Sequence, residues 1–157
     1  MSYFHEEQRF SPWLIRTLLL IAVLPVAFVF FVRGVVLSVM IVPLILLAVG
    51  VLLAFARLVV DVDREAITVA FHFLWPKRRI RISDVRKAEA TKYSPLLDYG
   101  GYGVRLGFRG WAFNTSGDMG VLVETNDGSR LMIGSHRPNE LEAAIERAKR
   151  EQEGRRG

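Results

Sequence analysis

Between Thr17 and Ala56 the chain carries a single formal charge, Arg33, in forty residues. An apolar helix crosses a bilayer with about 20 residues, so Arg33-Gly34 divides this stretch into two candidate helices. Extended to Trp13, the first runs over residues 13–32, with Arg16 near its start, where a long side chain reaches polar surroundings. The second runs over residues 35–56, twenty-two uncharged residues or roughly 33 Å of helix at 1.5 Å per residue. Gly34 suits a helix end, where the backbone turns left-handed. Neither run shows the polar face of a soluble amphipathic helix, and no small-residue cleavage site marks the first as a signal peptide. The expectation is a transmembrane helical hairpin with Pro25 and Pro43 kinking its helices. Trp13, Arg16, Arg33 and Arg57 would be its anchors at the membrane interface.

Charge supports one orientation of that hairpin. Arg9, Arg16, Arg57 and Arg64 flank the side bearing both termini, and only Arg33 lies at the turn. The positive-inside rule then places both termini, and the C-terminal domain, in the cytoplasm of a multi-pass membrane protein. The net charge of +5 divides into +1 before Arg57 (three Arg against two Glu) and +4 from Arg57 onward (18 basic against 14 acidic). That surplus is interspersed with acids and gives no footprint for nucleic acid. With no Cys, disulfides and thiolate metal sites are excluded.

From Arg57 the pattern changes to a period of two, the mark of half-buried strands. Leu58, Val60 and Val62 alternate with Val59, Asp61 and Asp63; Ile67, Val69, Phe71 and Phe73 alternate with Thr68, Ala70 and His72; Ile80 and Ile82 alternate with Arg79 and Arg81. Asp63-Arg64-Glu65 and Trp75-Pro76-Lys77 read as the intervening turns. Further strands are expected over 85–91, 103–108, 111–115, 120–125 and 129–133, the last two joined by the turn signal Asn126-Asp127-Gly128. After Pro138 the period becomes helical, with Leu141, Ala144, Ile145 and Ala148 on one face. The expected organisation is an N-terminal tail (1–12), the hairpin (13–56), a mainly β domain (57–153) and a short C-terminal tail (154–157). The β domain should be a bent antiparallel sheet or partly open barrel of about seven strands with a C-terminal helix.

Three segments carry a resemblance: Gly100-Gly101-Tyr102-Gly103-Val104-Arg105, Ser116-Gly117-Asp118-Met119-Gly120-Val121 and Ile133-Gly134-Ser135-His136-Arg137-Pro138. With the order apolar hairpin, strands, final helix, they resemble bacterial membrane proteins that carry a pleckstrin-homology-like (PH-like) domain behind two N-terminal helices. The resemblance implies a PH-like roll, a multi-pass place in the bacterial inner membrane with both termini cytoplasmic, and no known chemistry.

No constellation for catalysis, metal or cofactor stands out. The glycines at 100–103 precede a strand rather than a helix, which suits a turn rather than a phosphate cradle. His5, His72 and His136 show no metal spacing. Ser135-His136 are sequence neighbours, a poor basis for a nucleophile and its base. Ser135, just before a helix, suits backbone capping instead. The densest basic run is Lys77-Arg78-Arg79-Ile80-Arg81. With Trp75 beside it, and Arg105 and Arg109 as possible extensions, it is the candidate contact for a partner or for anionic lipid headgroups. The expected function is a non-catalytic interaction or assembly module on the cytoplasmic face. It would lie at the lipid bilayer and contact protein partners or a second copy of itself. Sensing of anionic phospholipid through the basic strand is the alternative.

Overall fold

In a computed structural model, residues 2–31, 38–107 and 110–155 are described. Arg33, Phe108, Arg109 and the last two residues lie outside them. The chain divides into two compact units, residues 9–56 and the remainder, residues 1–8 with 57–157.

The smaller unit is a pair of helices, α1 (Pro12–Phe31) and α2 (Ser38–Phe55), packed on one another. They meet at Gly50, where an added β-carbon would stand in ordinary contact with the Leu19 side chain at 3.4 Å. Pro43 lies within α2. Among the described residues no helix is long and apolar enough to cross a membrane, which overturns the expected transmembrane hairpin. Beyond Arg16, α1 has fifteen residues, Thr17 to Phe31, or about 22 Å of rise. Helix α2 has 18 residues, or about 27 Å, against a hydrocarbon core of about 30 Å. The multi-pass inner-membrane placement, with both termini cytoplasmic, rested on that hairpin and is withdrawn with it. The anchor role of Trp13, Arg16, Arg33 and Arg57 loses the same footing. Trp13 and Arg16 are exposed on α1, whereas Arg57 reaches Glu7 at 3.2 Å in the other unit.

The larger unit is built on nine strands among the described residues: β1 (Ser2–Arg9), β2 (Arg57–Asp63), β3 (Ala66–His72), β4 (Trp75–Arg81), β5 (Val85–Lys92), β6 (Gly103–Gly107), β7 (Gly110–Asn114), β8 (Met119–Thr125) and β9 (Arg130–Gly134). They form two sheets, ordered β1-β2-β3-β4 and β5-β8-β9-β7-β6. This corrects the single bent sheet of about seven strands. A 3-10 turn at Ile82–Asp84 carries the chain from the first sheet to the second. Strands β7 and β9 pair in parallel, Trp111 beside Leu131 and Phe113 beside Ile133, which a simple meander does not provide.

Alternation explains most of these strands. Leu58, Val60 and Val62 are fully buried, as are Ile67, Val69 and Phe71 on β3. Asp63 closes the β2–β3 turn by accepting from the Glu65 and Ala66 amides at 2.7 and 2.8 Å. Two short elements were not expected. Strand β1 buries Phe4, Glu6 and Gln8 and exposes His5, Glu7 and Arg9. Helix α3 (Pro95–Tyr99) is capped at its start by Ser94 and ends on Gly100, whose φ of 71° requires the left-handed region. The expected turn at Trp75-Pro76-Lys77 is instead the first part of β4, the turn having moved to Phe73-Leu74. Strand β4 ends its sheet, and a proline is compatible with an edge strand because its missing N–H breaks no ladder. The last helix, α4 (Pro138–Glu153), buries Leu141, Ala144, Ile145 and Ala148 against β5, β2 and β8.

Candidate basic cleft and aromatic edge

Strand β4 is an edge, so its outer side is open. Along it runs a cleft of about 510 Å³, whose opposite wall is the β8–β9 hairpin. Arg78, Arg79 and Arg81 supply one side and Arg130 the other, with Ile80 and Leu131 between them. Asp84 and Asp127 are the acids of the lining, which leaves four guanidiniums against two carboxylates. A second cleft, of about 630 Å³, lies across Arg79 and Arg81 and adds Arg155 and Glu65. The two arginines therefore form a shared basic ridge.

Every carboxylate near the ridge is engaged. Asp127 accepts from the Thr125 hydroxyl and from the Ser129 amide and hydroxyl. These bonds hold its carboxyl below the ordinary value, the Thr125 contribution being largest. Asp84 meets Arg81 at 2.9 Å and Glu65 meets Arg79 at 3.3 Å. On the other wall Arg130 lies 3.6 Å from Glu124. The exposed pairs of Arg81 and Arg79 contribute roughly 0–1 kcal/mol each. A ligand with a denser charge can exchange for them at little cost, and the planar guanidinium fork matches phosphate oxygens.

Arg78 is positioned differently. Its guanidinium lies 5.9 Å from the centre of the Trp111 ring, a cation–π arrangement. Trp111 in turn meets Trp75 at 5.7 Å, tilted by 44°. Leu106 is the direct cross-strand partner of Trp111, so the two share a face. The result is an apolar edge of Trp75, Trp111 and Leu106 continuous with the basic strand.

Of the residues singled out in the sequence, Arg78, Arg79 and Arg81 line the cleft, Trp75 heads the apolar edge and Lys77 is exposed between them. Arg105 sits on β6 opposite Ala112, on the alternate face to Leu106, and donates to the Tyr102 carbonyl at 3.2 Å. It does not join the lining. Arg130, Asp127, Trp111 and Phe73 were not anticipated. The hairpin turn at 126–128 was legible, but nothing in sequence spacing places it beside residues 78–81.

Ser135 and His136 take separate partners. Ser135 donates to Glu6 at 2.5 Å, and its oxygen accepts the Arg137 amide at 3.0 Å. His136 Nε2 meets the Ser116 hydroxyl at 2.9 Å. Although this places hydroxyl, imidazole and acid in one neighbourhood, His136 Nδ1 is 3.9 Å from Glu6, beyond hydrogen-bond reach. Glu6 is occupied instead by Ser135 and the His136 amide. The group joins β1 to the start of α4 rather than forming a relay. Among the described residues no three His, Asp or Glu gather as a metal site.

No family model matches the chain, and neither a curated protein nor a solved structure matches it.

Proposed function

We propose that the β-rich unit is a non-catalytic interaction module that recognises phosphate-type anionic groups through the cleft along β4. The observation that carries this reading is the convergence of Arg78, Arg79, Arg81 and Arg130 from two separate segments onto one cleft. Arginine forks, weakly engaged carboxylates and an open edge are what a charge-assisted, exchangeable site requires. Kinship with PH-like proteins is proposed alongside it, on a run of strands, interrupted by the short α3, that ends in the amphipathic helix α4.

Binding of pyrophosphate and of anionic vesicles by the full chain tests the proposal. Arg79→Ala with Arg81→Ala should weaken both about tenfold or more, and the wild-type affinity should fall steeply with salt. Both residues are exposed, so the melting temperature should change little. Equal binding to neutral and anionic vesicles, with no pyrophosphate binding, would sink the proposal.

A second reading concerns the helix pair and favours self-assembly. Leu20, Leu44, Ile45 and Phe55 are each more than half exposed on α1 and α2, and apolar surface of this kind marks an association site. A second copy offers the same apolar face. Sedimentation equilibrium should then show dimers or larger species for the wild-type chain, and Leu44→Lys with Ile45→Lys should weaken association at least tenfold. A wild-type chain that is monomeric at tens of micromolar would end this reading.

A further inference from the structure

The β3–β4 turn presents an aromatic residue under unusual conditions. Phe73 is the only non-glycine with positive φ among the described residues, at 67°, and it is 76% exposed. A bulky L residue is strained in the left-handed region, a strain that glycine at the same place would relieve. Nor does the ring gain burial in return. Phe73 follows directly on Phe71 and His72, and the turn is closed by the Leu74 amide donating to the Phe71 carbonyl at 3.1 Å. Two residues on, Trp75 is 47% exposed and packs at a tilt against Trp111, whose cross-strand partner Leu106 is 68% exposed. The same strand continues as Lys77, Arg78, Arg79 and Arg81.

We infer that this edge docks on an anionic lipid surface, Phe73, Trp75 and Leu106 entering the interfacial layer while the arginines of β4 hold headgroup phosphates. The inference rests on the cleft reading above and names its partner as a lipid surface rather than a soluble phosphate. Contact is from one side and needs no crossing helix. Trp75, a ring with a polar end, favours the bilayer interface, and Phe73 and Leu106 add exposed apolar area beside it. Each basic residue near an anionic surface adds attraction of the kind that falls with salt. A soluble anion accounts for the arginines but gives no role to an exposed ring held at positive φ. A surface with apolar depth behind its charge accounts for both.

The test uses the full chain carrying Trp13→Phe, so that tryptophan emission comes from Trp75 and Trp111. Vesicles contain 30% phosphatidylserine in phosphatidylcholine, with and without brominated acyl chains, and pure phosphatidylcholine is the control. Brominated anionic vesicles should quench the emission and the neutral ones should not. Phe73→Gly should leave the melting temperature equal or higher, because it relieves the backbone. It should lower vesicle affinity about tenfold, since one exposed aromatic side chain is lost from the apolar layer, and leave pyrophosphate binding unchanged. The Arg79→Ala, Arg81→Ala protein should lose both. If Phe73→Gly binds anionic vesicles as the parent does, or bromine does not quench, the inference fails while the cleft reading stands on pyrophosphate. Binding of vesicles and of pyrophosphate that neither variant alters overturns both.

Discussion

Replacing Glu6 by alanine is expected to destabilise the β-rich unit by about 3 kcal/mol and to lower its melting temperature by roughly 10 °C. Glu6 is buried on β1 and accepts from two donors at the start of α4, the Ser135 hydroxyl at 2.5 Å and the His136 amide at 2.9 Å. Alanine removes the acceptor and leaves both donors buried or half-buried without it. A donor stranded in this way costs about 1–3 kcal/mol. The neighbouring bonds make the loss cooperative. Gln8 donates to the Gly134 carbonyl at 2.9 Å and accepts from Thr115 at 3.1 Å, and Arg137 donates to the His5 carbonyl at 2.8 Å. Glu6→Gln keeps one oxygen acceptor in nearly the same volume and should lose only about 1 kcal/mol. A circular-dichroism melt of both variants decides the matter. If Glu6→Ala melts with the wild type, β1 is not held by this network.

That same network explains what the sequence concealed. Alternation identified β2 and β3 because their inward positions are Leu, Val, Ile and Phe. In β1 the alternation is just as regular, but two of its three inward residues are Glu6 and Gln8. Their partners lie more than 100 residues away, so the strand reads as a polar tail. Pro76 concealed the start of β4 for another reason: it looks like a breaker until the strand is known to be an edge. The helix pair shows the opposite error. The near-absence of charge over residues 17–56 marks apolar sequence, but none of the described helices is long and apolar enough to cross a membrane. The basic run at 77–81 was plain, yet its significance depends on Arg130 and Trp111, which come to it through the parallel β7–β9 pairing and the β8–β9 hairpin. Local pattern records the faces of a strand. It does not record which strand lies across the gap.

The β7–β9 pairing also sets the second large effect. Gly110 begins β7 with φ of 102°, a backbone conformation that costs an L residue about 1–3 kcal/mol. A β-carbon there would also press on the Arg130 carbonyl oxygen of β9, with the carbonyl carbon at 3.0 Å and the Arg130 β-carbon at 3.1 Å. The carbonyl atoms are backbone of the neighbouring strand and the β-carbon is fixed directly to it, so no side-chain rotation relieves the overlap, and overpacking of this kind adds about 1–3 kcal/mol. Gly110→Ala should therefore cost about 4 kcal/mol in all. Gly128→Ala is the control. Its φ is 83°, but nothing lies within 4 Å of the added carbon, so only the backbone cost of about 1 kcal/mol remains. Urea unfolding should separate the two variants by about 3 kcal/mol at unchanged slope. Binding should separate them as well. Displacing β9 at residue 130 moves one wall of the cleft, so at temperatures where Gly110→Ala remains folded its pyrophosphate affinity should fall, whereas that of Gly128→Ala should not. Equal midpoints for the two variants would mean that β7 and β9 are not in register at this glycine, and the wall that Arg130 supplies would have to be placed elsewhere.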